Sequence, residues 1–168
     1  MSRQTSVSRL LYLRNWELVN IFLLPIFLYR VLTLFSVKNW QPYAFGMFIV
    51  CFILMQGVFY WHLKLQTIVN NEISLPPYFR QTFLFFNTAN IALLLIYPIA
   101  ATSSELMPFI NFRVSLGANA LFIFAFLEYI NYYHHQLSHD SLNDIRYLMR
   151  HRIIRRSPLY TDLQRNKK

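Results

Sequence analysis

The chain has 168 residues, of which 55% are hydrophobic and 18% aromatic, while only 14% are charged. Soluble domains carry about 25% charged residues, so this composition argues against a soluble globular domain. The 16 lysine and arginine residues outnumber the 7 acidic residues, which gives a formal net charge of +9. Because these charges lie in tails and loops around apolar segments, they favour contact with a membrane surface over contact with nucleic acid.

Four apolar segments are long enough to cross a bilayer, which takes roughly 20 residues in an α-helix. They predict an all-α integral membrane protein with a four-helix transmembrane bundle in residues 1–137. Tyrosine and tryptophan residues flank the segments, as expected at the boundary between lipid and water. The predicted spans cover about residues 18–37, 43–61, 82–101 and 114–133.

The distribution of basic residues predicts the orientation, because short segments rich in lysine and arginine stay in the cytoplasm. Four spans place both termini on one side, and most of the positive charge lies in the termini and in the loop between the second and third spans. Only Arg30, Lys38 and Arg113 fall toward the other side. The sequence therefore predicts that both termini are cytoplasmic, with the plasma (inner) membrane as the default location.

Residues 138–168 are predicted to form a basic cytoplasmic tail with an amphipathic helix at about residues 141–156. Apolar side chains recur there at helical spacing, and Ser157-Pro158 is expected to end the helix. Alternatively, span four continues without a break into the tail. Two interpretations of the tail remain open. It lies on anionic lipid headgroups, or it packs against the inner loop or a partner subunit. Either surface would be contacted by Arg146, Arg150, Arg155 and Arg156.

Glu128 lies within the fourth span, where an ionisable side chain is costly and is therefore a candidate for function. Asn131 follows three residues later, on the same face of a helix. Both are predicted to be functional residues within the membrane. Four uncharged polar residues of the spans are expected to hydrogen-bond between helices. These residues are Gln56, Asn87, Asn90 and Asn119.

All 5 histidines lie at the predicted cytoplasmic ends of the spans or beyond them. His135 and His139 are four residues apart, so a helix would present both imidazoles to one ion. Together with His62 at the end of the second span, they predict a site for a transition metal. The alternative is that these histidines are solvated among lipid headgroups, beside Tyr132 and Tyr133.

No motif in the sequence identifies a reaction, because a glycine-rich phosphate loop, a nucleophile elbow and a Cys-x-x-Cys pair are all missing. We therefore expect a non-catalytic membrane subunit or scaffold that packs with itself or with a larger membrane partner. One alternative is a small oligomeric transporter or channel that uses Glu128. A weak similarity between residues 20–26 and 90–96 favours this alternative, because transporters often contain repeats. The other alternative is a metal-binding membrane protein with its ligands at the cytoplasmic face.

Overall fold

A computed structural model describes residues 3–102, 116–137 and 155–165. These residues form five α-helices and no β-strand, so the prediction of an all-helical chain is confirmed for the described part. The helices, numbered here in chain order, are α1 (Arg3–Leu34), α2 (Gln41–Val69), α3 (Phe79–Thr102), α4 (Leu116–Tyr133) and α5 (Pro158–Arg165).

Three of these helices contain segments long and apolar enough to cross a membrane: Gln4–Leu34, Gln41–Val69 and Phe79–Ile99. Their outward surfaces expose many large apolar side chains, which lipid solvates far better than water. Among the exposed side chains are Phe22, Ile26, Phe27, Phe85 and Leu95. These features indicate a membrane protein. Helix α4 has 18 described residues and is not in this group.

Helices α1 and α2 end in the same way, with one residue in the left-handed region just after the helix. Ser36 has a φ of 49° after α1, and Asn71 has a φ of 56° after α2. At the end of α1 the N–H of Val37 donates to the carbonyl of Leu32 at 3.0 Å, and the equivalent bond closes the end of α2. The short connections that follow turn the chain back, so that consecutive helices lie side by side.

Helix α2 lies at the centre of the bundle and packs against α1, α3 and α4. In its middle turn the side chain of Ile53 is fully buried, whereas Met55 faces outward. At one end of α2 the ring of Tyr60 lies 6.2 Å from that of Phe79 at the start of α3. At the other end the ring of Phe45 stacks at 6.2 Å on that of Tyr97, near the end of α3. Helices α2 and α3 therefore run in opposite directions.

Polar side chains inside the bundle hydrogen-bond between helices. Gln56 of α2 and Asn90 of α3 exchange two hydrogen bonds of 2.9 and 2.8 Å. The hydroxyl of Tyr133 in α4 donates to the amide oxygen of Gln56 at 2.7 Å. The amide oxygens of Asn87 and Asn119 each accept a hydrogen bond from a tyrosine of the neighbouring helix. The prediction that these four uncharged residues join helices is confirmed.

Helix α1 lies at the edge of the bundle, where it packs along α2. Ile21, Leu24 and Leu28 reach the apolar core. In the apolar window of α1 that could cross a membrane, 0% of the residues are buried, against 50% for α2. The outward face of α1 therefore needs lipid or another protein to cover it.

The chain leaves the helical conformation directly after α4, which ends at Tyr133. The N–H of Gln136 donates to the carbonyl of Arg155 at 2.9 Å, and the N–H of Ser157 donates to the carbonyl of His134 at 3.1 Å. Continuation of span four into the tail as one helix is therefore wrong. The N–H of Gln136 and the carbonyl of His134 bond to a distant segment of the chain and not to a following helical turn.

Helix α5 begins at Ser157-Pro158, the dipeptide that the sequence analysis expected to end a helix. The hydroxyl oxygen of Ser157 accepts the N–H of Tyr160 at 3.0 Å, and proline occupies the first helical position, where it is favoured. The two residues before Ser157 are not helical, so the predicted helix at about residues 141–156 does not reach them. The rest of that predicted helix lies outside the described residues.

Candidate functional site

A cavity of about 400 Å³ lies at the end of the bundle where α1 begins and where α2 and α4 end. It is lined by the first half of α1, the last turns of α2, the end of α4 and residues 155–159. Its size suits a small molecule or the headgroup of a lipid. Because its lining contains apolar, aromatic and charged side chains, the cavity offers a ligand both packing and ionic contacts.

Glu17 is the one acidic residue among the described side chains that line this cavity. Its carboxylate accepts a hydrogen bond of 2.8 Å from the indole N–H of Trp61. The hydroxyl of Tyr132 lies beside the carboxylate, over Gly57. A Cβ atom at Gly57 would overlap both groups. The glycine thus creates the space in which α1, α2 and α4 bring three polar side chains together.

A second polar contact joins α5 to α2 at the wall of the cavity. The ammonium group of Lys64 lies 2.7 Å from the carboxylate of Asp162, and the hydroxyl of Tyr60 donates to the same oxygen at 2.7 Å. Leu159, one turn before Asp162, is buried against the core. The ion pair and the apolar contact together hold α5 on the end of the bundle.

Positive charge predominates around the cavity. Arg9 of α1, Lys64 of α2 and Arg155 before α5 line it, against one acidic side chain in the described lining, although Lys64 is already paired with Asp162. Arg9 and Arg155 are exposed, so their guanidinium groups remain in contact with solvent. This balance favours a ligand with an anionic group such as a phosphate, for which arginine and lysine are common partners.

The structure brings the predicted pair Glu128 and Asn131 together. The side-chain amide of Asn131 donates to the carboxylate of Glu128 at 3.4 Å, and its oxygen accepts the N–H of Leu137 at 2.8 Å. Asn131 lines the cavity, while Glu128 is half-buried one turn earlier in α4. Asn131 therefore anchors the turn that follows α4, and a functional role for Glu128 stays a prediction.

The predicted metal ligands lie in different settings. His62 of α2 is 3.5 Å from a guanidinium nitrogen of Arg14, whereas His135 is exposed after the end of α4. His139 lies outside the described residues. Because His135 is not helical, helical spacing does not align it with His139. Among the described residues, no group of three or more His, Cys, Asp or Glu side chains is placed to hold a metal ion. A metal site formed by all three histidines stays a prediction.

Two of the four arginines predicted to contact lipid or a partner are described by the structure. Arg155 lines the cavity, and the guanidinium carbon of Arg156 lies 5.0 Å from the ring centre of Tyr160. Arg146 and Arg150 lie outside the described residues. Arg155 is therefore the predicted tail arginine that the structure places at the candidate site.

Glu17, Trp61 and Tyr132 are not among the residues that the sequence predicted to be functional. Glu17 directly precedes the predicted first span, and charged residues are common at that position, so it did not stand out. A signal was nevertheless present, because Glu17 is the only acidic residue before Glu72, in a segment whose other charges are basic. Such an isolated acidic residue next to a membrane span is a candidate for a specific partner.

The arrangement offers a ligand one carboxylate, aromatic side chains beside it and basic side chains around it. These contacts suit a charged molecule that also has an apolar part. No known protein family, curated protein sequence or solved structure matches this chain.

Proposed function

We propose that this chain is a non-catalytic membrane subunit or scaffold, and that α1 is the helix through which it contacts another protein. The position of α1 at the edge of the bundle supports the proposal. In the apolar segment of α1 that is long enough to cross a membrane, 0% of the residues are buried within the chain. Aromatic side chains are enriched at protein interfaces. The exposed surface of α1 carries Trp16, Phe22, Phe27 and Tyr29.

The interior of the bundle also supports a structural role. Gln56, Asn90 and Tyr133 bond to each other across three helices. Hydrogen bonds of this kind fix how helices pack in a membrane. An aqueous pathway needs polar groups that face a pore, whereas these central groups of the described bundle face one another.

The proposal includes four membrane spans, with α4 as the fourth, and a cytoplasmic location for both termini in the plasma (inner) membrane. Ser6 and Arg9 near the start of α1 line the same cavity as Arg155 and Leu159. Because the two segments line one cavity, they lie at the same end of the bundle. This supports an even number of spans between them. The basic side chains at this end support the cytoplasmic location.

Reporter fusions test this topology. We expect a fluorescent protein that folds only in the cytoplasm to be bright when it is fused to either terminus or after Asn71. The same reporter should be dark when it is fused after Lys38, in the connection between α1 and α2. If α4 did not cross the membrane, the reporters at the two termini would report opposite sides, and that result would contradict four spans.

Cysteine cross-linking in native membranes tests the role of α1. Cys51 is the only cysteine and is half-buried, so it is first replaced by alanine. In that background, Ile26→Cys is expected to form a cross-linked adduct with a protein partner, because Ile26 is 63% exposed on the outward face of α1. The readout is a denaturing gel followed by mass spectrometry of the adduct.

Ile91→Cys is the matched control for this experiment, because Ile91 is an isoleucine of α3 with 42% exposure. It should give clearly less adduct than Ile26→Cys. A homodimer at position 26 would identify a second copy of the chain as the partner, and a heterologous adduct would identify a larger membrane protein. Absence of any adduct at position 26, with normal thiol labelling there, would contradict the proposal.

The two alternatives gain less support from the described contacts. The transporter or channel alternative depends on Glu128, which hydrogen-bonds to Asn131 of its own helix. The metal-binding alternative depends partly on His62, which lies beside the guanidinium group of Arg14. A neighbouring positive charge opposes the binding of a metal cation. Both alternatives stay predictions.

A further inference from the structure

The start of α5 is attached to the bundle by the backbone. The N–H of Gln136 donates to the carbonyl of Arg155 at 2.9 Å. The N–H of Ser157 donates to the carbonyl of His134, and its buried hydroxyl hydrogen-bonds to the carbonyl of Tyr132. The start of α5 is therefore fixed mainly by main-chain groups.

Farther along α5, the attachment is made by side chains. The carboxylate of Asp162 lies 2.7 Å from the ammonium group of Lys64, and the hydroxyl of Tyr60 donates to the same oxygen at 2.7 Å. Leu163 packs against the apolar core but remains partly exposed. The side chains of Lys64 and Asp162 are 30% and 13% exposed, so water and ions reach the pair. This second attachment can therefore break while the backbone contacts at the start of α5 stay intact.

Helix α5 is too short to be stable away from the bundle. It has 8 residues, whereas isolated helices shorter than about 12–15 residues are marginal in water. Leu159 in its first turn is 1% exposed, so this apolar contact reinforces the fixed start. The second turn depends on Asp162 and on the partial burial of Leu163. Segments with few buried contacts open locally without unfolding of the rest of the protein. The second turn of α5 meets this condition.

The ion pair between α2 and α5 lies at the wall of the cavity. Tyr60 and Lys64 both line the cavity, while Asp162 reaches them from outside the described lining. The side chain of Tyr60 is 1% exposed with α5 in place. Departure of Asp162 would leave the ammonium group of Lys64 and the hydroxyl of Tyr60 to be hydrated. Opening of the second turn of α5 therefore widens the cavity at this wall and admits water.

We propose that the second turn of α5 is a latch on the cavity. Residues 161–165 detach from the bundle when the ion pair between Lys64 and Asp162 breaks, and solutes then enter the cavity beside Tyr60. Residues 155–159 stay in place. Ionic strength sets the balance between the closed and open latch, because salt weakens an ion pair that solvent reaches. The inference does not depend on a protein partner for α1.

Hydrogen–deuterium exchange of the full chain in detergent tests the opening, with mass spectrometric fragmentation to locate the exchanging amides. In Asp162→Asn we expect the amides of residues 162–165 to exchange about fivefold faster than in the wild-type chain, as for loss of a partly exposed ion pair. Lys64→Gln and the wild-type chain at high NaCl concentration should show the same change. The amides of Gln136 and Ser157 should keep their wild-type rates.

Glu72→Gln is the matched control for the change of charge. Glu72 also exchanges a carboxylate for an amide at the end of α2, but its partner is the side-chain amide of Asn70 at 3.4 Å. This variant should leave the exchange of residues 162–165 unchanged.

Fluorescence quenching by acrylamide tests whether the opening reaches the cavity. Trp61 lines the cavity, and its ring lies 4.7 Å from that of Tyr60. Trp16→Phe/Trp40→Phe leaves Trp61 as the only tryptophan of the 3 in the chain. In this background we expect Asp162→Asn to raise the quenching constant of Trp61, and Glu72→Gln to leave it unchanged.

Three results would overturn the proposal. The first is wild-type exchange of residues 162–165 in both Asp162→Asn and Lys64→Gln, which would show that the ion pair does not hold α5. The second is equally faster exchange at Ser157 and Gln136, which would mean that the whole segment detaches. The third is faster exchange with no change in the quenching of Trp61, which would separate the movement of α5 from access to the cavity.

Discussion

Replacement of Gly57 by alanine is expected to destabilise the bundle by about 1–3 kcal/mol, the range for overpacking a well-filled core. The added Cβ atom would overlap the carboxylate of Glu17 and the hydroxyl of Tyr132. These groups are the ends of side chains from α1 and α4, so relief of the overlap requires both side chains to shift and disturbs the hydrogen bond between Glu17 and Trp61. The expected readout is a lower midpoint of thermal unfolding for the purified protein in detergent.

Gly46→Ala is the matched control, because Gly46 is also a buried glycine of α2 that faces α4. A Cβ atom there would lie 3.2 Å from the Cβ of Leu121, a contact that a small shift relieves. It should therefore lower the midpoint less than Gly57→Ala does. In the double variant Gly57→Ala/Glu17→Ala the overlapping carboxylate is absent, so the two losses should not add. Equal midpoints for the two glycine variants, or additive losses in the double variant, would contradict the assigned packing.

The helices and their internal polar contacts were largely predictable from the sequence. Gln56 and Asn90 lie in apolar segments, where an amide has few partners other than an amide or hydroxyl of a neighbouring helix. Residue type and position alone therefore predicted hydrogen bonds between helices. The limits of the helices were less predictable, because hydropathy marks only the apolar part of a helix. Helix α1 begins at Arg3, well before the predicted span at about residues 18–37.

The candidate site was harder to predict because its contacts join residues far apart in the chain. Lys64 and Asp162 form an ion pair only because α5 returns to the end of the bundle. That return depends on backbone hydrogen bonds between the segment after α4 and the segment before α5. Ser157-Pro158 is compatible with the end of one helix and with the start of the next. The sequence alone therefore left the position of α5, and with it one wall of the cavity, undetermined.

A double-mutant cycle on Gln56 and Asn90 should show a coupling of about 1 kcal/mol, within the range of hydrogen bonds between membrane helices. Asn90 is 0% exposed, and Gln56→Leu would remove both of its hydrogen-bonding partner atoms. An unsatisfied buried amide costs about 1–3 kcal/mol, so the losses of the two single variants should together exceed the loss of the double variant. The free energy of unfolding in mixed detergent micelles is the quantity to compare.

Two tyrosines of α4 provide the matched control for this cycle. Tyr133 donates to Gln56 at 2.7 Å in the buried centre, and Tyr129 donates to half-buried Asn87 at 2.9 Å. Tyr133→Phe should therefore cost more stability than Tyr129→Phe, because solvent or lipid headgroups can replace a lost partner only at a partly exposed group. If the two phenylalanine variants lost the same stability and the Gln56 and Asn90 losses were additive, the central amides would not hold the helices together. Support for a structural role of the bundle interior would then be lost.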